Sequence, residues 1–445
     1  MRLRFFKVPL FFLVLFLLSV VLATVVAAAE AAPPPAVDAG DTAWVLISAA
    51  LVLFMTPGLA FFYGGLVRRK NILSILMQCF ILVCIVSVQW ALFGYSLAFG
   101  PDVGGWIGSL GWFGLKGVGL DPHPGYAATI PHQVFMVFQM MFAIITPALI
   151  LGAFAERMKF SAFCVFSLLW ATLVYDPVCH WVWGIGGFLR EAGTLDFAGG
   201  IVVHVNAGMA ALVTALVLGK RMGYPENVAP PHNLPFAVLG TGILWFGWFG
   251  FNAGSALGAG RVAGAAFLAT HLAGAAAGLT WALIEWVVNE RPTMLGLITG
   301  AVAGLAAVTP AAGFVRPLGA VWIGIGAAAV CYATAVVMKT RLGYDDTLDA
   351  FGVHGVGGVW GTLAAGLFAT KAVNPAGADG LFYGNPAQFF VQLKAVALTA
   401  AWSLAATWVL LKAVDAVMGL RASEHEERVG LDLTGHRESA YTLLD

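Results

Sequence analysis

Charge is scarce in this chain of 445 residues: Asp, Glu, Lys and Arg together make up 10%, against 60% hydrophobic residues. An ordinary soluble domain is roughly a quarter charged, so the polar surface here is too small to cover a water-soluble globule of this size. The 23 basic and 23 acidic residues cancel, which leaves no excess positive charge for binding nucleic acid. The composition therefore predicts a protein that lies in a lipid bilayer.

Cysteine is also rare, and five cysteines in so long a chain exclude a disulfide scaffold. All five lie in apolar runs without the spacing of a metal site: Cys79, Cys84, Cys164, Cys179 and Cys331. His-x-x-x-His and Cys-x-x-Cys motifs are missing from the sequence. A nucleophile–base pair or a cofactor-binding loop is not apparent either. We therefore expect no metal, no cofactor and no enzymatic activity.

The N-terminal 29 residues resemble a targeting signal. Arg2, Arg4 and Lys7 form a basic start, and an apolar run from Val8 to Ala29 follows. A signal peptide over 1–29 is predicted, with an uncleaved anchor as the alternative because the apolar run is long. The remaining divisions are an exposed segment over 30–41, a membrane domain over 42–419 and a cytoplasmic tail over 420–445.

The membrane domain contains eleven apolar segments near the roughly 20 residues that cross a bilayer as a helix. The strict alternation of a β-barrel strand is missing, so the predicted fold class is an all-α polytopic membrane protein. The predicted spans are 42–66, 72–99, 130–155, 160–184, 197–219, 234–257, 262–289, 293–312, 318–338, 348–370 and 388–418.

Basic residues in the short loops predict the orientation, because they concentrate on the cytoplasmic side. One side carries Arg68, Arg69, Lys70, Arg157, Lys159, Lys220, Arg221, Arg291, Lys339 and Arg341. The other side carries Lys116, Arg190, Arg261, Arg316 and Lys371. After removal of the signal, this places the N-terminus outside and the C-terminus in the cytoplasm.

Eleven spans divide as five, five and one, and two five-span halves must enter the membrane in opposite senses, as an inverted repeat. The fifth and tenth spans are then equivalent. Each contains a histidine, His204 or His354, and each follows an aspartate, Asp196 or Asp349. Polar groups inside the membrane are costly and point to function, so two histidines at equivalent positions are candidates for a common role.

Two chemistries are open to such a pair. A metal site would need further donors, and His271 in the seventh span is one candidate, although no carboxylate lies beside it. Conduction of a small hydrogen-bonding molecule, or of protons, suits neutral imidazoles better, because they donate and accept along an otherwise apolar path. Bare alkali ions gain little from an N–H group.

Aromatic residues form a second group of candidates. Phe138 and Phe142 are one helical turn apart and share a face of the third span. The predicted orientation brings Trp183 and Ser255, at the ends of the fourth and sixth spans, to the outer side. An aromatic face together with a hydroxyl acceptor suits a small cation, although packing against lipid is the alternative for any single aromatic residue.

The motifs around these residues resemble the ammonium transporter family (Amt/Mep, distantly related to Rh proteins) over essentially the whole mature chain. They are Phe62-Tyr63-Gly64-Gly65-Leu66, Asp196-Phe197-Ala198-Gly199-Gly200 leading to His204, Gly247 to Ser255, and Asp349 with Phe351-Gly352-Val353-His354-Gly355.

The resemblance implies a homotrimer in the bacterial inner membrane, with an inverted repeat and one pore in each subunit. It implies an outer ammonium site formed by Phe142, Trp183 and Ser255 with Phe138 nearby, a gate formed by Phe142 and Phe251, and a pore lined by His204 and His354. Asp196 and Trp248 would stabilise this region.

Stripping water from ammonium is costly, whereas removing its proton costs only about 3–4 kcal/mol for a pKa two to three units above neutral. The expected function is therefore recruitment of ammonium, deprotonation and conduction of ammonia, with the proton crossing separately or not at all. The alternatives are an ammonium sensor with little flux and an Rh-like conduit for neutral gas.

The tail resembles the family's cytoplasmic tail in Gly430-Leu431-Asp432, His436 and Glu438, which implies docking of a PII-type signalling protein. Arg437 stands where the family pattern has glycine. Asp176, beside Pro177, is interpreted as hydrogen-bonded packing in a kinked helix.

Overall fold

The computed structural model describes residues 36–226 and 229–441. The predicted signal peptide over 1–29 lies outside the described residues, as do residues 30–35 of the predicted exposed segment. Residues 36–40 are exposed, but helix begins at Ala39 rather than at residue 42. Asp38 causes this earlier start, because its carboxylate accepts a hydrogen bond from the backbone N–H of Asp41 and caps the helix.

The predicted all-α polytopic fold is confirmed. In the described part of the chain, ten helices are long and apolar enough to cross a membrane, and one shorter apolar helix accompanies them. They are α1 Ala39–Leu66, α2 Arg69–Phe99, α3 His132–Phe154, α4 Phe160–Glu191, α5 Gly200–Leu218, α6 Leu234–Gly254, α7 Arg261–Asn289, α8 Met294–Val308 (the shorter one), α9 Pro317–Leu342, α10 Phe351–Phe368 and α11 Pro386–Met418. Each coincides with one predicted span.

Short elements occupy the loops and the tail. Two small antiparallel hairpins lie between α2 and α3, formed by β1 Asp102–Val103 with β2 Ile107–Gly108, and by β3 Pro122–His123 with β4 Ala127–Pro131. The 3₁₀ helices are Arg69–Asn71 at the start of α2, Leu110–Leu115 and Leu381–Tyr383, and the tail contains α12 Glu424–Val429 and a π-helical turn over Asp432–His436.

The two ends of the helix bundle differ and are named here for one residue each. The Trp183 face carries the α2–α3 loop, Trp183 and Ser255. The Arg157 face carries the α3–α4 loop with Arg157, the α9–α10 loop and the tail, which attaches there through the hydrogen bond from Ala422 N to Arg157 O at 2.9 Å.

The internal repeat is visible in the helix irregularities. The fourth and ninth helices contain π-helical segments over Ala171–Tyr175 and Ala333–Met338. The fifth and tenth begin with further π-helical segments over Gly200–Val205 and Phe351–Val356. These four segments thus occupy equivalent places in the two halves, as expected for a five-plus-five repeat with one additional helix, whereas the π-helical segment Trp90–Gly94 of α2 has no counterpart in α7.

The structure corrects one assignment within this repeat. Asp346, not Asp349, is the equivalent of Asp196, because it precedes His354 by the same eight residues that separate Asp196 from His204. The Asp346 carboxylate accepts hydrogen bonds from the first turn of α10. Asp349 instead has a left-handed backbone with φ of 59° and pairs with Lys339.

Glycine allows α5 and α10 to meet at the centre of the bundle. A Cβ atom on Gly208 of α5 would lie 2.1 Å from the Cα of Gly355 in α10. A Cβ atom on Gly358 of α10 would lie 2.9 Å from the Cβ of His204. Both approaches are too close for any larger residue, so glycine at these positions brings the two histidine-bearing segments together.

Candidate pore and cation site

The two predicted histidines meet at the centre of the molecule. The rings of His204 and His354 are stacked with centroids 5.2 Å apart and an interplanar angle of 12°. Both side chains are buried, with 1% and 4% of their surface exposed. Both ring nitrogens of His204 and the Nδ1 of His354 lack a hydrogen-bond partner among the described residues. Buried polar atoms normally have hydrogen-bond partners. Because these nitrogens have none in the protein, they are available to hydrogen-bond a small molecule between the helices.

Two aspartates hold the segments that carry these histidines. The Asp196 carboxylate accepts from the backbone N–H groups of Gly199, Gly200, Ile201 and Val202 at 2.6–3.1 Å. Asp346 accepts from Ala350 and Phe351 at 3.0 and 2.8 Å. These bonds satisfy N–H groups that a helix start leaves without partners and place negative charge at its positive end.

The ionisation of Asp196 is determined by two opposing effects. Burial raises its pKa to about 6, although the four backbone N–H groups favour the carboxylate form and pull the pKa down. The residue is therefore directed at the backbone of α5 and supports the histidine segment.

Aromatic rings separate the histidines from the Trp183 face. The rings of Phe142 and Phe251 have centroids 4.3 Å apart, and Phe138 lies edge-on to Phe142 at 5.0 Å. The Phe251 ring is in turn 6.1 Å from the ring of His204. The predicted gate residues thus form one contiguous aromatic layer directly above the histidine pair.

A cavity of about 200 Å³ opens on the Trp183 side of this layer. It is lined by Phe99, Gly125, Tyr126, Phe135, Gln139, Trp183, Arg190, Asp196, Phe197, Ser255 and Leu257. The Trp183 ring stands perpendicular to that of Phe142 at 5.8 Å, and its indole N–H donates to the backbone carbonyl of Asp196 at 2.8 Å.

The hydroxyl of Ser255 completes the polar side of this cavity. It donates to the carbonyl of Phe251 at 2.9 Å, and because a hydroxyl has one proton, its lone pairs remain available as acceptors. Indole, aromatic rings and hydroxyl acceptor together form a site that suits a small cation able to donate hydrogen bonds.

Two further cavities lie beyond the phenylalanines. A very small one, of about 10 Å³, is lined by Phe251, Trp248 and both histidines. A larger one of about 170 Å³ lies toward the Arg157 face and is lined by His354, Thr299, Asp349 and Tyr63 among others. The histidine pair therefore stands between the two larger cavities, and the phenylalanines interrupt the path from the Trp183 side.

Trp248 supports the pair from the side. Its ring is stacked on that of His204 at 5.6 Å, and its indole N–H donates to Thr309 at 3.0 Å. This geometry fixes the indole plane and, through it, the plane of the His204 ring.

The metal alternative receives no support. Within residues 36–226 and 229–441, no group of three or more His, Cys, Asp or Glu side chains could hold a metal ion. His271 is exposed on α7 and packs against the rings of Trp245 and Phe249 at 5.6 and 6.3 Å. It does not approach the buried pair.

Asp176 lies within α4, where the Gln89 side-chain amide donates to its carboxyl group at 2.7 Å. Packing by hydrogen bonding, as interpreted from the sequence, agrees with this contact.

Sequence reasoning missed Asp346, Gln139, Tyr126 and Arg190. The equal spacing of Asp196 and Asp346 from the two histidines was present in the sequence and could have revealed Asp346. Gln139 and Arg190 carried no such signal, because each reaches the cavity only through the packing of its helix or loop.

Fold and site together define a multi-pass membrane protein with a buried polar pair on the axis between two cavities. Comparison with known proteins adds the family. The model of the Ammonium Transporter Family matches residues 43–441. The ammonium transporter of Bacillus subtilis is 55% identical over 90% of this chain and 98% of its own length. Ammonium transporter Amt1 of Archaeoglobus fulgidus is 48% identical over 91% and 99%.

Solved structures give the same result. Mep2 of Candida albicans superposes with a TM-score of 0.82 at 38% identity, covering 88% of each chain. A protein described as a sensor Amt protein superposes with a TM-score of 0.83 at 31% identity, covering 89% of this chain and 98% of its own. The chain belongs to the ammonium transporter family, a family of transporters rather than enzymes.

Proposed function

We propose that this protein transports ammonium across a membrane by recruiting it as the cation, removing a proton and conducting ammonia past His204 and His354. The observation that carries the proposal is the stacked, buried histidine pair between two cavities, with ring nitrogens that lack protein partners. Family membership and relatives named ammonium transporters support the substrate.

Deprotonation is the less costly way for ammonium to cross an apolar passage. An isolated charge in an apolar passage costs many kcal/mol unless it is compensated, whereas an amine-like proton is removed at neutral pH for about 3–4 kcal/mol. Neutral ammonia can then exchange hydrogen bonds with the imidazoles. Potassium has a similar charge and size but no proton to lose, so it meets the full desolvation cost and is excluded.

Recruitment is assigned to the cavity on the Trp183 side. The ring faces of Phe142 and Trp183 attract a cation, and Ser255 accepts one of its hydrogen bonds. Phe138 lies edge-on to Phe142 at 5.0 Å and so supports this ring from behind the cavity lining. Phe142 and Phe251 form the gate, which must open transiently because their rings are only 4.3 Å apart.

The proposal extends to the orientation of the protein in the membrane, its signal peptide and its oligomeric state. The Trp183 face lies outside, the tail in the cytoplasm of a bacterial inner-membrane protein, and residues 1–29 form a signal peptide. We assign the assembly to a homotrimer with a pore in each subunit. His271 supports this, since an exposed imidazole midway along α7 is costly against lipid and better accommodated between subunits.

A PII-type protein is the proposed partner of the tail. Arg437 stands where the family has glycine, and its backbone φ of 58° lies in the left-handed region that favours glycine. The chain therefore keeps this turn in spite of the substitution.

An ammonium sensor with little flux is the second candidate, because one structural neighbour is a sensor Amt protein. The two functions differ in turnover, since a sensor binds ammonium and passes almost none.

The test uses the full protein purified and reconstituted into liposomes. Ammonium pulses should evoke a saturable current or uptake, equal pulses of potassium should not, and protein-free liposomes give the background. Binding without flux would favour the sensor, and equal responses to potassium would contradict deprotonation at the gate.

A further inference from the structure

The cavity on the Trp183 side contains a fixed positive charge that the recruitment of a cation does not explain. Two charged side chains line this cavity, Arg190 and Asp196. Asp196 is 7% exposed, and its carboxylate accepts hydrogen bonds from four backbone N–H groups. Arg190 is only half-buried, and its guanidinium is a cation.

The guanidinium of Arg190 has no carboxylate to neutralise it. None of the ion pairs among the described residues includes Arg190. Its Nη1 donates to the backbone carbonyl of Trp183 at 2.5 Å, and its Cζ lies 5.8 Å from the centroid of the Tyr126 ring. Both contacts are neutral, so they orient the charge without cancelling its field, and the buried Asp196 carboxylate is the one opposite charge that lines the same cavity.

The aromatic support of Arg190 is itself fixed. The Tyr126 hydroxyl donates to the carbonyl of Phe99 at 2.7 Å and accepts from the backbone N–H of Ile185 at 2.9 Å. The guanidinium is therefore held between a rigid tyrosine and the carbonyl of the tryptophan that faces the cavity.

We propose that Arg190 sets the cation affinity of the outer cavity and that its positive charge lowers this affinity. An unpaired cation beside a cation site repels its ligand over a distance of about the Debye length, roughly 8–10 Å near physiological salt. This repulsion disfavours every monovalent cation alike. Discrimination between cations is then left to the deprotonation step, which only a cation that carries a proton can undergo.

The inference rests on the proposed function of the cavity as the ammonium recruitment site, and it adds a residue that opposes recruitment. The role of Arg190 is electrostatic, so salt distinguishes it from a purely structural one. Loss of a structural contact with Trp183 would change affinity equally at low and high salt, whereas loss of repulsion matters only where the charge is poorly screened.

The experiment measures ammonium-evoked current in liposomes of uncharged lipid, with ionic strength set by N-methylglucamine chloride. For Arg190→Gln, whose amide can still donate to the Trp183 carbonyl, we expect half-saturation at an ammonium concentration about threefold lower than for the unaltered protein at low salt. The two values should converge at high salt. Arg190→Lys keeps the charge and should follow the unaltered protein throughout.

Arg316→Gln is the matched control, because Arg316 also lies over a tyrosine, Tyr383 at 5.7 Å, but does not line the cavity. It should leave half-saturation unchanged. Arg190→Met, an uncharged variant of similar length, provides the same comparison if the glutamine variant does not fold.

A ratio that is independent of salt, or an increase in the half-saturating concentration on removing the charge, would overturn the inference and leave ammonium transport standing. Absence of ammonium current in the unaltered protein would instead overturn the proposed function and this inference with it.

Discussion

The two mouths of the central passage are built by different means. On the Trp183 side, Asp196, Trp183 and Arg190 all bond to backbone groups, and the cavity walls are largely aromatic. On the Arg157 side, side chains are joined in ion pairs, including Arg221 with Asp345 at 2.8 Å and Arg68 with Glu156 at 3.0 Å.

The difference matters for a cation. Ion pairs on the Arg157 side neutralise their own charges and join the α1–α2, α3–α4, α5–α6 and α9–α10 loops. On the Trp183 side, ring faces remain available to a ligand because the polar groups around them are satisfied by the backbone. The Arg157 side is thus rigid, whereas the Trp183 side leaves aromatic ring faces available to a cation.

The largest expected effect is on the Arg157 side. The Arg157 side chain is fully buried and donates to the carbonyl of Asp345 at 2.7 Å and to the Thr347 hydroxyl at 2.5 Å. Arg157→Met removes the charge beside Asp345 and should destabilise the fold by about 3–5 kcal/mol. Thermal unfolding in detergent measures this.

Arg69→Met is the control, because Arg69 is exposed on the same face. It should cost less than about 0.5 kcal/mol. Equal melting temperatures for the two variants would show that the Arg157 side does not depend on its buried charges.

The aspartate caps at the two mouths come next. Asp196 accepts four backbone hydrogen bonds and Asp346 accepts two. Asparagine offers one oxygen and no charge, so Asp196→Asn should cost about 2–3 kcal/mol and Asp346→Asn about 1–2 kcal/mol. Unfolding of both variants under one condition gives the order, and a larger loss for Asp346→Asn would refute the ranking.

The contribution of Asp196 to stability also depends on pH. Because burial raises the pKa of Asp196 to about 6 in the folded protein, the folded state binds a proton more tightly than the unfolded state. The contribution of this group to stability is therefore present at low pH and is lost as pH rises from about 4 to about 6. Asp196→Asn should lack this loss, so its deficit relative to the unaltered protein should be greatest at the acid end. A deficit that grows with pH would contradict the assignment.

The smallest effect concerns recruitment. Trp183→Leu removes one ring face from the outer cavity and should raise the ammonium concentration for half-maximal current about fivefold, or ~1 kcal/mol. Trp286→Leu serves as the control, because Trp286 is 60% exposed on α7 and far along the chain from the cavity. An unshifted curve for Trp183→Leu would remove this residue from the site.

Much of the fold was predictable because a bilayer imposes a helix length that can be read directly from apolar runs. All eleven spans were predicted in this way. Dividing them as five, five and one made the fifth and tenth spans equivalent, and this paired their two histidines. The start of α1 was misplaced by three residues because the cap at Asp38 depends on a local hydrogen bond rather than on hydropathy.

The site was less predictable where it depends on three-dimensional packing. The wrong aspartate was paired with His354, because proximity in sequence favoured Asp349 over the equally spaced Asp346. The π-helical segments leave no mark in hydropathy, although they place both histidines. Arg190 was counted only as a loop charge, since nothing in the sequence brings it beside Trp183.

The proposed conduction of ammonia depends most directly on the histidine pair. The decisive measurement is the ratio of ammonium to potassium current in liposomes for His204→Ala combined with His354→Ala, with His425→Ala, an exposed histidine of the tail, as the control. We predict a folded double variant whose ratio falls by about 100-fold or more, equivalent to ~3 kcal/mol of discrimination, and a control that keeps the original ratio. A double variant that still carries ammonium and excludes potassium as the unaltered protein does would contradict the account.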